Sequence, residues 1–250
     1  MDILGDLLAP YSSVIAKCVC TVTCLHYMSG AFLLNEIRKV GCSDGFPPDP
    51  FLGGVVLTVL SCKLGTLMGD EAMVKVNMFG FCINVIFTLT HFWYASGTFK
   101  MKIWTKIGVA AVFTITCLAY ANFEDPYKIE FRFGMLITGL LIYLVGMPLL
   151  ELDAIINRKT TDGLSLPMTL AGAVVSAAWV IYAISIKNSM LTYQNALLLI
   201  LSSIQLSLFA IYPNTISLMD KNPSLLFLEQ KRSNKKTSNP SKDIHNKKFN

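Results

Sequence analysis

Residues 160 to 195, TTDGLSLPMTLAGAVVSAAWVIYAISIKNSMLTYQN, restate a stretch lying 118 positions earlier. In that register Thr161-Asp162-Gly163 falls on Ser43-Asp44-Gly45, Gly172 on Gly54, Ser176 on Thr58, Trp179 on Ser61, Ala183 on Gly65 and Asn195 on Asn77. Pro167 is one step out, 117 positions after Pro50. The shared unit is a small-polar turn, a proline opening an apolar helix, and an asparagine in the next apolar helix. Self-similarity at a fixed spacing marks an internal duplication, so the chain must fold as two copies of one module.

The medium follows from composition. Hydrophobic residues make up 53% of the 250 and charged residues 15%, against about 25% charged in soluble domains. Polar groups are too few to cover a globular surface, which points to a multi-span membrane protein and gives no reason to expect a nucleic-acid partner. The seven cysteines lie almost wholly in apolar stretches without CxxC pairs or His-rich neighbours. They read as small packing residues rather than a disulfide framework or zinc site. The start, MDILGDLL, is acidic and has no small-residue cleavage site, so the first helix is expected to be retained.

Seven apolar stretches follow, near Tyr11 to Leu34, Phe51 to Met68, Ala72 to Ala95, Ile103 to Phe123, Phe133 to Leu150, Pro167 to Ile186 and Leu191 to Tyr212. Each approaches the roughly 20 residues that cross about 30 Å of hydrocarbon. None alternates like a barrel strand, and lipid tolerates no unpaired backbone, so all are expected to be helices. Lys and Arg crowd the first, third and fifth connections (Arg38, Lys39, Lys100, Lys102, Arg158, Lys159) and the tail. The positive-inside bias then places the N-terminus extracellular or lumenal and the C-terminus in the cytosol. The tail, residues 215–250, is basic, polar and aperiodic and is expected to be disordered. It fixes topology, with binding to anionic membrane lipid as the alternative.

A shift of 118 residues carries helix one onto five, two onto six and three onto seven, leaving helix four as a connector. Four crossings separate equivalent helices, so the two triplets point the same way. The expected fold is therefore an all-α membrane protein of seven transmembrane helices, two parallel three-helix repeats joined by a linker helix (3+1+3). Its segments are residues 1–96, a linker at 97–127, residues 128–214 and the tail. Such repeats place a substrate site at their interface and rock to give alternating access.

PMTLAGAVVSAAWVIYAISIKN, then QN and SSIQLSLFAIYPN, resembles the second MtN3/saliva repeat of the SWEET sugar transporters, and PFLGGVV with LMGDEAMVKVNMFG resembles the first. The resemblance spans all seven helices, roughly Ala9 to Asn214, and QN at 194 to 195 is similar to animal and especially insect members. It implies passive, bidirectional transport of mono- or disaccharides across the plasma membrane or an endomembrane such as the Golgi. Parallel three-helix units can also pair between chains, so a homo-oligomer is a further expectation.

A buried asparagine offers one carbonyl acceptor and two amide donors, matching the dual character of a sugar hydroxyl. Asn77 and Asn195 hold matching positions, and Trp179, one turn from Ser176, can pack its ring on the apolar face of a pyranose. The resemblance implies that Asn77, Asn195, Trp179 and Ser176 contact substrate; the alternative for the amides is an ordinary interhelical hydrogen bond. Helix two departs from the family's Trp-x-x-Tyr-Gly: it reads Ser61-Cys62-Lys63-Leu64-Gly65, so Ser61 leaves a roomier or more polar wall. Lys63 is expected to snorkel to the interface.

Pro50, Pro148 and Pro167 lie near helix ends on the basic side, and Gly30 stands where plant SWEETs carry a fourth proline. The resemblance implies that this set hinges the inner gate, although Pro50 and Pro167 also suit an ordinary first helical turn. Helix interiors hold no Asp or Glu, and the phosphate-cradling GxxxxGK[ST] is missing, which leaves uniport without ion or nucleotide coupling. His26 and His91 read as hydrogen-bonded packing residues rather than proton shuttles. Seven helices with an outside N-terminus also describe a G-protein-coupled receptor, but His91-Phe92-Trp93-Tyr94 and Ala210-Ile211-Tyr212-Pro213 occupy the places of its motifs. No catalytic triad or metal-ligand set can be assembled, so neither an enzyme nor a cofactor is expected.

Overall fold

The structure, a computed structural model, describes residues 2–150, 157, 161 and 166–212. Regular structure among them is helical: α1 (Asp2–Leu8), α2 (Ser12–Met28), α3 (Gly30–Val40), α4 (Asp49–Met68), α5 (Glu71–Trp93), α6 (Gly97–Phe123), α7 (Ile129–Leu150), α8 (Leu166–Ser185) and α9 (Ser189–Ile211). Seven runs are long and apolar enough to cross a membrane, the first being Ile3–Val40, which joins α1 to α3. The seven-span, all-α expectation is therefore met, with α1 as an unforeseen addition ahead of Tyr11. Arg158, Lys159 and the tail lie outside the described residues.

The first span is broken rather than continuous. Ser29 separates α2 from α3, its N–H reaching the His26 carbonyl at 3.0 Å and its own carbonyl accepting from Phe32 at 3.1 Å. These three-residue bonds wind the chain more tightly than an α-helix and mark a bend. Gly30 follows at once, and a Cβ there would stand 2.6 Å from the Phe87 ring on α5. The glycine thus has a packing reason. Its counterpart 118 positions on is Pro148, in the last turn of α7. Pro50 sits in the first turn of α4 and Pro167 in that of α8.

Both copies build the same turn between their second and third helices. Gly69 has φ +66° and Lys187, its counterpart, φ +54°. A left-handed residue ends a helix by turning the next N–H back to a free carbonyl: Asp70 N–H reaches the Gly65 carbonyl at 2.8 Å, and Asn188 N–H the Ala183 carbonyl at 2.9 Å. The next helix is then capped alike, Asp70 Oδ1 accepting from Met73 N–H at 3.0 Å and Asn188 Oδ1 from Leu191 N–H at 2.9 Å. Each cap satisfies a donor that the first turn leaves without a partner.

Packing reproduces the duplication. In the first triplet α5 lies between α2 and α4, touching both. In the second, α7 meets α9, where Thr138 Oγ1 donates to Gln194 Oε1 at 3.0 Å and Gln205 Nε2 to the Val145 carbonyl. Between triplets α2 packs on α8, and Gly53 of α4 lies against Leu144 of α7. The register shift turns the first of these contacts into the second, as a pseudo-twofold axis along the helices requires. Leu60 and Leu64 of α4 and Phe133 and Ile137 of α7 are fully buried in the shared core.

The linker α6 goes with the first triplet. It packs on α4, Lys106 Nζ lying 2.6 Å from the Asp49 carboxylate near one end and Lys63 Nζ donating to Asn122 Oδ1 at 2.8 Å near the other. Lys63 therefore reaches the helix end as expected, but finds a partner on α6. Glu36 and Glu130 lie inside helices, though only in the last turns of α3 and the first turn of α7, and Glu36 pairs with Lys39 at 2.7 Å.

Contacts divide the chain into two units. One, residues 1–149 and 165–206, holds both triplets; the other is residues 150–164 and 207–250. Within the second, Thr161 Oγ1 donates to the Tyr212 carbonyl at 3.4 Å. The equivalent pair in the first copy is Ser43 N–H to the Tyr94 carbonyl, at 3.1 Å.

Candidate functional site

The two asparagines are each the seventh residue of a 23-residue helix, α5 and α9, and both are buried. Asn77 Nδ2 donates to the Met73 carbonyl and Asn195 Nδ2 to the Leu191 carbonyl, both at 2.9 Å. These are the same bond in the two copies. A carbonyl can only accept, so in each case the NH2 must face down the helix and the amide oxygen must face away. Here the copies part: Asn77 Oδ1 accepts from the Tyr27 hydroxyl at 3.0 Å, whereas Asn195 Oδ1 has no hydrogen-bond partner among the described residues.

Trp179 is buried on α8, where its indole N–H donates to Thr23 Oγ1 at 3.0 Å. Thr23 in turn donates to the Val19 carbonyl at 2.7 Å, which fixes its hydroxyl as an acceptor toward the indole. The Trp179 and Tyr182 rings meet edge to face with centroids 5.6 Å apart. Thr23 and Tyr27 are four residues apart and so share a face of α2. One face of one helix therefore ties down Asn77 of the first triplet and Trp179 of the second.

Ser61 and Ser176 are also buried, on α4 and α8, and no described hydrogen bond joins them or Asn195 to the other candidates. Thr58, the counterpart of Ser176, turns its hydroxyl back to the Gly54 carbonyl at 2.7 Å. Near the start of α5 a pocket of about 400 Å³ is lined by Asp70, Glu71, Ala72, Tyr182, Ile186 and Asn188. Tyr182 lines this pocket and touches Trp179, so it stands between the pocket and the buried side chains.

Several polar residues escaped the sequence reading. Tyr27 and Thr23 carry hydrogen bonds to the candidates, Tyr182 packs edge to face on Trp179, and Asn84 is buried on α5 with Nδ2 on the Gly80 carbonyl at 2.8 Å. Asn84 lies seven residues from Asn77, hence on the same helix face, and that spacing was the available signal. Polar residues isolated in membrane helices are costly unless paired, which would have flagged Thr23 and Tyr27 as well.

At the basic end His91 is buried, with Nε2 at 2.9 Å from the Phe46 carbonyl and its ring 6.0 Å from Phe51. This fits the packing role expected of it. Ser96 N–H donates to Asp44 Oδ1 at 2.9 Å, and the hydrogen bonding from Ser96 holds the Asp44 carboxyl below the usual carboxylate range. Among the described residues no group of His, Cys, Asp and Glu could hold a metal ion.

The sequence model of the MtN3/saliva family, described as a sugar efflux transporter for intercellular exchange, matches residues 13–98 and again 131–216. The chain belongs to the SWEET family. The two matches cover the two triplets and leave α6 between them. SWEET relatives include the sugar transporter SWEET1 of Drosophila pseudoobscura pseudoobscura, 28% identical over 201 residues, which are 76% of this chain and 85% of the relative. Human sugar transporter SWEET1 is 25% identical over 204 residues, 80% of this chain and 89% of the relative. A solved eukaryotic SWEET transporter superposes with a TM-score of 0.69 at 18% identity, covering 80% of this chain and 97% of that one. The SWEET fold, with its 3+1+3 plan, is thereby shown for this chain. Membership of this family does not favour the receptor alternative.

Proposed function

We propose that this SWEET protein is a uniporter that carries mono- or disaccharides down their gradient by alternating access. The observation that carries the reading is the pair of buried amides at matching positions, Asn77 and Asn195, each bonded to its own helix at Nδ2. That bond uses one of two N–H donors, so each amide keeps hydrogen-bonding capacity for a ligand. Sugar hydroxyls leaving water exchange their hydration for these groups, while the Trp179 ring, held by Thr23, supplies an apolar platform. Ser176 and Ser61 add hydroxyls to the wall, and with Ser61 in place of an aromatic the first triplet contributes the roomier side.

Uniport is supported by where the acidic groups lie. Asp70, Asp49 and Glu71 are at helix starts, and Glu36 pairs with Lys39, so among the described residues no carboxylate stands in the middle of α4, α5, α8 or α9 as an ion relay. Gly30, Pro50, Pro148 and Pro167 make up the proposed hinge set, and the tight winding at Ser29 gives the first of them a bend to act on. The basic connections favour an extracellular or lumenal N-terminus and a cytosolic C-terminus, in the plasma membrane or Golgi. A homo-oligomer in that membrane is part of the same proposal.

The test is counterflow in liposomes containing the purified full chain, with glucose, fructose, sucrose and trehalose. Saturable exchange of at least one sugar without an ion gradient or nucleotide is expected. Absence of flux for all four, or flux that requires a proton gradient, overturns the uniporter reading.

A further inference from the structure

We infer that Tyr27 is a positioning residue that holds the Asn77 side chain and takes up its amide oxygen, so that the first triplet presents only an N–H donor to substrate while the second keeps a carbonyl acceptor as well. The inference rests on the reading of Asn77 and Asn195 as sugar contacts and names the hydrogen-bond polarity they require of the ligand.

The geometry is asymmetric at a place where the backbone is not. Asn77 has one N–H on the Met73 carbonyl and its Oδ1 on the Tyr27 hydroxyl. The Met73 carbonyl, which can only accept, sets which way the amide faces, and the Tyr27 hydroxyl engages the oxygen so exposed. What remains directed elsewhere is the second N–H of Nδ2. Asn195 carries the matching bond to Leu191, but the counterpart of Tyr27 is Val145, which has no hydroxyl. Its amide oxygen therefore remains available as an acceptor.

Space for the phenol is provided on one side only. The Tyr27 ring lies directly against Gly80, where any Cβ would overlap its edge. In the second copy Gly80 is replaced by Leu198 and Tyr27 by Val145, so a middle-sized pair stands where the first copy has a large residue on a small one. The two substitutions are complementary, and together they confine the phenol lock to the first triplet. Asn77 is buried and Tyr27 half-buried, which strengthens the bond and makes its loss costly.

The ligand class follows. A group that bridges the two amides must accept from Asn77, and only one that also donates uses the free Asn195 oxygen, which a hydroxyl does and an ether oxygen or C–F group does not. A sugar methylated or fluorinated at the bridging hydroxyl keeps the first contact and loses the second.

The experiment measures equilibrium binding of the tightest binder among radiolabelled glucose, fructose, sucrose and trehalose to purified full chain. Variants are Tyr27→Phe, Asn77→Ala and the double substitution. Phenylalanine keeps the ring on Gly80, and a melting temperature is recorded for every variant. Tyr27→Phe is expected to raise the dissociation constant about fivefold to tenfold, the loss of one partly buried hydrogen bond. The double variant is expected to match Asn77→Ala alone, because the hydroxyl acts only through that amide. Counterflow half-saturation should rise by the same factor, by more than any fall in maximal rate. Unchanged binding in Tyr27→Phe, or a loss that adds in full to that of Asn77→Ala, overturns the positioning role while the sugar site stands. Unchanged binding in Asn77→Ala, or no sugar bound by the wild type, instead overturns the site and the inference with it.

Discussion

The Tyr182 hydroxyl donates to Asp70 Oδ1 at 3.0 Å, joining α8 of the second triplet to the turn that begins α5 of the first. The same oxygen caps α5 through Met73 N–H, and Oδ2 is buried without a partner. Two jobs on one carboxylate separate the effects of two substitutions. Tyr182→Phe removes one hydrogen bond, about 1 kcal/mol. Asp70→Ala removes that bond and the helix cap, a further loss of about 1 kcal/mol. Thermal unfolding in detergent should place Asp70→Ala clearly below Tyr182→Phe; equal midpoints would mean that the cap contributes nothing.

Asn77→Ala and Asn195→Ala are each expected to abolish sugar flux in liposomes while the chain still folds and reaches the membrane. Their stabilities should differ, because Asn77→Ala also strands the half-buried Tyr27 hydroxyl. A larger fall in melting temperature is therefore expected for Asn77→Ala. Full flux in either variant would reduce that asparagine to a packing residue.

Two glycines make a contrasting pair. A Cβ at Gly54 would overlap the Asn84 amide, which is buried and held by the Gly80 carbonyl, so it has nowhere to go. A Cβ at Gly134 would meet only the thioether tip of Met190, which has freely rotating bonds to turn aside. Gly54→Ala should cost about 1–3 kcal/mol by overpacking, and Gly134→Ala should lie close to wild type. Thermal unfolding of the two variants side by side decides it, and the reverse order would refute the packing described.

The loop between α6 and α7 carries a pH signature. The Arg132 guanidinium, 2.7 Å away, together with the Asp125 N–H and the Tyr120 hydroxyl, holds the Glu124 carboxyl down to about 2. An unfolded glutamate titrates near 4.3, roughly. A depressed folded value stabilises the protein above the unfolded value, and the effect is lost as pH falls through the folded one. The difference in melting temperature between wild type and Glu124→Gln should be constant above about pH 5 and shrink toward pH 2. Glu124 is half-buried but its partner Arg132 is exposed, so the difference will be small.

The duplication, the seven spans and the parallel 3+1+3 plan were legible because each rests on a periodic or compositional signal that tertiary contacts do not override. Asn77, Asn195 and Trp179 could be named as candidates because the register pairs them or the family motif carries them. Their partners could not. Tyr27, Thr23 and Tyr182 have Val145, Leu141 and Leu64 as counterparts, so comparing the copies for likeness passes over them. The place of the break at Ser29 was marked only through the resemblance, by Gly30 standing where plant members carry a proline; its cause, two three-residue hydrogen bonds and the Phe87 ring, was not legible. Likeness between the copies finds the scaffold; difference between them finds the groups that orient the side chains.

That α6 makes one polypeptide of both triplets has a consequence for how such a pore can change. In an assembly of two identical subunits every replacement falls on both walls at once, so a phenol facing one asparagine must face the other too. Covalent fusion lifts that requirement. Each wall can be rewritten alone, and the Tyr27-Gly80 exchange against Val145-Leu198 is what an independently edited wall looks like.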